Sequence, residues 1–462
     1  MQSEEITQEP AVLPRVLGSF DAAMIVVGSV IGSGIFLKPH TLAEALPNFG
    51  PIVAVWIGVG LITLCGCLSL AELAAMLPQA GGPYVYLREA YGKLPAFLWA
   101  WTEFWVVRTG SIGALAVATA IYLAEVTPLG RLGQEVVAVV LVVGLSAINY
   151  VSTRWTAHVQ NVTTVLKVAF LGMIIVLPFL LGRSDAELLQ PLFPSKIEPS
   201  LWTGLAAAVV AILWAYDGWI NIGPVVEEIR DPQRNVPRAL AWGITLIMAI
   251  YIAATFAYHL VLPHAEIAAS EAPTATLFAK LFSPEAARWV SLGVMLSAFG
   301  AVNSNMLTGP RIYFAVARDG LLPHFMQKIH HRYETPHNAV LVQAVWTILL
   351  IVAVFHHNEQ KSPLDAFDAL TNYVIFGGYT FYALAVSAVF TLRVKRPDLP
   401  RPYKTWGYPV VPAIFLLAFG AFVVSMGVTS PEESRAGLAL IAAGVPFFFW
   451  MRSRRPSVAT SA

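Results

Sequence analysis

Twelve stretches of this chain are apolar over roughly 18 to 30 residues each. They lie near 20–46, 52–77, 95–124, 134–151, 159–182, 201–229, 238–262, 286–316, 338–356, 366–392, 408–428 and 435–451. A helix of about 20 apolar residues crosses the hydrocarbon of a bilayer. The runs are continuous, whereas the strands of a membrane barrel alternate over about ten residues. An all-α integral membrane fold with twelve transmembrane helices is therefore expected. Composition agrees: only 12% of the 462 residues are charged, about half the share in soluble domains. With a mean hydropathy of +0.65, a disordered chain, a fibre and an ordinary cytosolic enzyme are excluded.

The 29 Lys and Arg nearly cancel the 28 Asp and Glu, so there is no basic surface of the kind nucleic acid requires. With the N-terminus placed inside, 19 of the basic residues fall in inner segments and 7 in outer loops; Lys38, Arg108 and Lys167 lie within spans. That bias puts both termini in the cytoplasm of a cell whose inner or plasma membrane holds the chain. The tails would be 1–19 and 452–462. The opening MQSEEITQEPAVLPR lacks a basic n-region, so the first apolar run is expected to stay in the mature protein. Cys65 and Cys67 sit within an apolar run and read as small packing residues.

Two spans carry a defect. The first is interrupted by Gly32-Ser33-Gly34, and the sixth around Tyr216-Asp217-Gly218, with Gly223-Pro224 beyond. Each opens a set of five spans, 20–182 and 201–392, with 408–451 supplying two more. Five is odd, so the second set starts from the opposite side, as an inverted repeat requires. Unpaired backbone in lipid costs several kcal/mol and is tolerated where it lines a cavity. Paired interruptions in corresponding helices are the sequence signature of a transporter's binding site. Gly28 and Gly32 also form a small-xxx-small pair, and for Gly28 close helix packing is the expected role.

IVVGSVIGSGIF, PQAGGPYVYLREAYG, AYDGW, EEIRDPQRNVPRAL and VNSNMLTGPRIYFAVARDGLLP together resemble the amino acid–polyamine–organocation superfamily, most nearly a bacterial member of its L-type amino-acid transporter branch. The resemblance runs from about Gly28 to Pro402. It implies the five-plus-five inverted-repeat (LeuT-type) fold with two added helices, and transport of amino acids by alternating access, as an antiporter or a proton-coupled uptake system. Some eukaryotic members join a heavy chain through an extracellular disulfide. No Cys lies in the second external loop here, so that covalent partner is not expected.

An amino acid brings a carboxylate and an ammonium. The first break, Ile31, Gly32, Ser33, Gly34 and Ile35, frees N–H groups at the start of the outer half-helix, and their partial positive charge suits the carboxylate. At the sixth break the carbonyls of Trp214, Ala215 and Asp217 are expected to receive the ammonium. Glycines there let the ligand approach backbone. By resemblance Trp214 is an aromatic gate. Asp217 has several readings: binding the substrate ammonium, receiving a basic side chain, linking binding to movement, or capping freed backbone N–H groups. Lys167, in the fifth span, resembles the Lys that stands where sodium-driven relatives hold Na⁺, near a carbonyl close to Gly32 and Ser304 or Asn305. Fixed and charged it supports sodium-independent exchange; titrating, it supports proton coupling.

Neutral L-amino acids are the first expectation, because Ile220 and Ile222 beyond the sixth break suggest an apolar pocket. Cationic, dibasic or broad-range substrates using Asp217 are the alternative. Glu227 and Glu228 are expected to form ion pairs with Arg230, Arg234, Arg238 or Arg88. Glu103 and Arg108 can satisfy one another. No cofactor or metal is expected: the chain has neither HExxH nor GxSxG, so a membrane-embedded transferase has little to stand on. A channel would show pore-lining repeats or charged rings instead of paired interruptions.

Overall fold

A computed structural model describes residues 12–196, 198–270, 272–357, 363–429 and 431–453. The expected tails, 1–19 and 452–462, lie mostly outside these residues. Each apolar run is wound as helix, because in lipid only an α-helix satisfies its own backbone. The first span is two pieces, α1 (Ser19–Val30) and α2 (Gly34–Ala45). Then come α3 (Phe49–Met76), a short α4 (Pro83–Tyr91), and a third span in two parts, α5 (Lys93–Thr102) and α6 (Arg108–Ala124). Next are α7 (Arg131–Val151), α8 (Thr153–Leu180) and α9 (Pro199–Tyr216). A 3-10 segment, Trp219–Glu228, completes the sixth span.

The remainder is α10 (Pro232–Val261), short α11 (His264–Ala269) and α12 (Pro273–Leu281), α13 (Ala286–Arg318), α14 (His337–His357), α15 (Pro363–Lys395), α16 (Val410–Thr429) and α17 (Pro431–Ser453). Among the described residues eleven spans are long and apolar enough to cross a membrane. The twelfth expected stretch, 366–392, lies on α15.

The two interruptions come together at the centre of the bundle. α1 packs on α8, α10 and α13, α2 packs on α9, and α6 packs on α13 and α15. Gly28 allows the first of these approaches, since a Cβ there would stand 2.1 Å from the Thr164 hydroxyl oxygen. Cys67 is buried and Cys65 half-buried, both free thiols in α3.

Ion pairs close one end of the bundle, the end at which α1 begins. Arg311 on α13 holds Glu228 through Nε at 2.7 Å and Nη2 at 3.1 Å, and Thr153 bonds to both partners. Glu227 accepts from Arg318 and from the backbone N–H groups of Leu13 and Ala80. Leu17 and Ile229 form an isolated parallel bridge that ties the approach to α1 onto the exit of the 3-10 segment. Arg88 and Tyr84 on α4 both donate to Asp319. The expected partners were wrong: Glu227 and Glu228 find their arginines on α13, and Arg88 pairs with Asp319 and Glu89.

Candidate functional site

The chain leaves helical geometry at Ile31, whose ψ of 89° turns it out of α1, and re-enters with Ser33 as the N-cap of α2. The N–H groups of Ser33, Gly34 and Ile35 have no protein acceptor among the described residues, as the first turn of any helix requires. The carbonyl side of the break is already engaged. Lys167 Nζ donates to Gly28 O at 2.9 Å and Ile31 O at 2.7 Å. Ser297 donates to Gly32 O at 2.9 Å. The Tyr251 hydroxyl lies 3.2 Å from Val30 O and 3.1 Å from Ala215 O, so one group reaches both interruptions.

The second break is made by Asp217, extended at ψ 153°, and Gly218, left-handed at φ 110°. A Cβ on Gly218 would sit 2.7 Å from Ser29 O, so Gly218 supplies both a backbone conformation and a close approach. Gly218→Ala is expected to cost about 1–3 kcal/mol, read as a lower midpoint of thermal unfolding in detergent. An unchanged midpoint would show that neither the φ nor the contact matters. Gly34 has a related reason: its Cβ would stand 2.9 Å from Ala215 Cα. Close packing of the two half-helices demands that glycine, beyond any need of a ligand.

Between the breaks lies a small cavity. Gly32, Ser33, Gly34, Trp214, Asp217 and Asn305 line it. Ile31, Ile35, Ala215, Ser304 and Lys167 stand behind that lining. Ser304 shares a hydrogen bond with the Ser29 hydroxyl and Asn305 accepts from Arg108, while Lys167 donates to Gly28 O and Ile31 O and to neither of them. The carbonyls of Trp214 and Ala215 are also taken, by Asp217 N–H at 3.2 Å and by Tyr251. The acceptor that this break turns to the cavity is the Asp217 carboxylate, which receives the Tyr382 hydroxyl at 3.0 Å and the Gly218 backbone N–H.

Several lining residues were not anticipated: Ser29, Arg108, Ser111, Asn221 and Tyr382. Arg108 is the most consequential. A π-helical turn, Glu103–Val107, closes with Arg108 N–H on Glu103 O, and such turns recur at functional sites. Nε and Nη2 of Arg108 reach Glu103 Oε2 at 3.1 and 2.9 Å. Nη1 donates to Asn221 at 2.7 Å, Asn305 at 2.6 Å and Thr308 at 3.2 Å. An ionisable residue inside a span marks a functional site by default, and that signal was available for Arg108. The isoleucines give no apolar wall: Ile220 and Ile222 are buried elsewhere, and Asn221 is the member of that turn facing the cavity.

Residues 17–450 match the family model for amino acid permeases. The chain belongs to the amino acid permease family. Similar permeases include the large neutral amino acids transporter small subunit 2 of Oryctolagus cuniculus, 34% identical over 95% of this chain and 80% of that protein. The serine/threonine exchanger SteT of Bacillus subtilis is 30% identical over 96% of this chain and 98% of its own. The human b(0,+)-type amino acid transporter 1 is 30% identical over 96% of this chain and 89% of its own length. These permeases are named as transporters and not as enzymes. The all-helical permease architecture, with its interrupted first and sixth spans, accounts for the site's position halfway along the bundle.

Proposed function

We propose that this permease carries neutral L-amino acids across a cell membrane by alternating access, independently of sodium, as an exchanger or an uptake system. The observation that carries this is the meeting of two helix interruptions of opposite polarity on one cavity. One offers the N–H groups of Ser33, Gly34 and Ile35 to a carboxylate; the other offers Asp217 to an ammonium. Trp214 lines the cavity on α9 and is the gate that closes over the substrate. Lys167 stands in for a cation, because its ammonium holds the carbonyl end of α1 as a coordinated ion would.

The sets 20–182 and 201–392 are the two repeats, each opened by an interrupted helix, with 408–451 following. Both termini face the cytoplasm, which makes the ion-paired end the closed cytoplasmic side. Cys65 and Cys67 both lie within α3, so the permease works without a disulfide-linked heavy chain. Asp217 supports one further reading, transport of cationic or dibasic substrates, with its carboxylate receiving a basic side chain.

Counterflow tests the proposal. Liposomes loaded with L-serine are expected to accumulate labelled L-serine transiently, equally in sodium and choline buffers. Uptake indifferent to internal substrate would point to a channel, and a chemically altered product to an enzyme. Trp214→Ala is expected to weaken apparent serine affinity about tenfold, equivalent to about 1.4 kcal/mol, with the fold intact. Wild-type affinity would remove the gate.

A further inference from the structure

Among the described residues, four acidic or basic side chains lie around the cavity away from the ion-paired end: Glu103, Arg108, Lys167 and Asp217. Glu103 and Arg108 are 2.9 Å apart and cancel. Lys167 and Asp217 have no ion-pair partner among the described residues. The lysine donates to two carbonyls, and the aspartate accepts from the Tyr382 hydroxyl and the Gly218 backbone N–H. A lone charge within the membrane is costly, and here two of opposite sign are left over. Each is fixed to one of the two interruptions that form the site. Lys167 is fastened to the end of α1; Asp217 ends α9; and Gly218 presses that end against Ser29 of α1. The other titratable groups bonded to these breaks are Tyr251 and Tyr382, both neutral phenols.

We infer that Lys167 and Asp217 are a split charge pair that sets the net charge of the transported species at zero. With both ionised, the four groups sum to zero, and only a zwitterion with an uncharged side chain keeps that balance in the closed cavity. No co-ion is needed. A basic or acidic side chain adds an unbalanced charge and is rejected. Removing the lysine charge leaves an excess negative charge, favouring a cationic amino acid or a proton carried with a neutral one. Removing the aspartate charge favours the acidic class.

This rests on the amino-acid transport proposed above, and the experiment separates the two. Counterflow of labelled L-serine by the full chain in liposomes is competed with L-alanine, L-arginine and L-aspartate, with and without a pH gradient. In the wild type, arginine and aspartate are expected to compete at least about tenfold more weakly than alanine, a discrimination of about 1.4 kcal/mol. A pH gradient should not drive accumulation. Lys167→Gln is expected to gain arginine competition or to require external acid for serine flux. Asp217→Asn should lose arginine and gain aspartate competition. The double variant, summing again to zero, should recover zwitterion preference. Where a variant binds without turning over, ligand-induced thermal stabilisation reads the same preference.

Wild-type competition by arginine equal to alanine, or proton-driven serine accumulation, overturns the inference while leaving amino-acid transport standing. So do single variants that shift preference in the same direction. Absence of any amino-acid counterflow overturns both.

Discussion

Lys167→Ala is expected to reduce serine counterflow about 100-fold or more, a barrier change near 2.7 kcal/mol, in a protein that still purifies as a folded species. The side chain is buried on α8 and donates to Gly28 O and Ile31 O. Truncation leaves both carbonyls short of a strong donor, and an unsatisfied buried group costs about 1–3 kcal/mol. Ile31 retains a bond from Ser297 at 3.3 Å, so α1 is loosened and not lost. The half-helix whose position defines the cavity then adopts a range of positions, or settles in one and stays there. Counterflow and substrate-induced thermal stabilisation, measured on the same preparation, distinguish lost turnover from lost binding. Turnover equal to wild type would remove Lys167 from the mechanism.

The second large effect concerns stability. Arg311 and Glu228 are both fully buried, 2.7 Å apart, and Thr153 completes their hydrogen bonding. Arg311→Leu leaves a carboxylate buried without a counter-charge, a change worth about 3–5 kcal/mol. A clearly lower unfolding midpoint in detergent is expected. Arg311→Leu combined with Glu228→Leu should recover much of the loss, since replacing both members of a buried pair is often neutral or stabilising. A single variant as stable as wild type would mean that the closed end is held together by packing alone.

The two variants also show which features were legible in the sequence. Span placement was, because apolarity over 20 residues is a local property. Both interruptions were too, since glycine and aspartate in mid-span have no other economical explanation. For Lys167 a freed carbonyl near Gly32 was the legible partner, and the ammonium reaches Ile31 O and Gly28 O; the hydrogen bonds to Asn305 or Ser304 that were also expected do not form. Partners fixed by packing were not legible. Glu228 and Arg311 are 83 residues apart and Glu227 and Arg318 are 91 apart, whereas Arg230, Arg234 and Arg238 were merely near in sequence.

The chemistry of the cavity was the largest surprise. An apolar wall was expected from Ile220 and Ile222 beyond the sixth break. The 3-10 segment has three residues per turn, which presents Asn221 to the cavity and sends both isoleucines into the core. Arg108 enters through a π turn that the sequence does not announce. The resulting wall sets Ser29, Ser111, Asn221, Asn305 and Tyr382 beside Val30, Val107, Leu115 and Ala301.

The most direct measurement is an experimental structure of the full chain bound to L-serine. The substrate should lie between the two interruptions, its carboxylate oxygens about 3 Å from the N–H groups of Ser33 and Gly34 and its ammonium beside Asp217. Serine held outside the cavity or bound with its ends reversed would contradict this placement, as would α1 and α2 running as one unbroken helix.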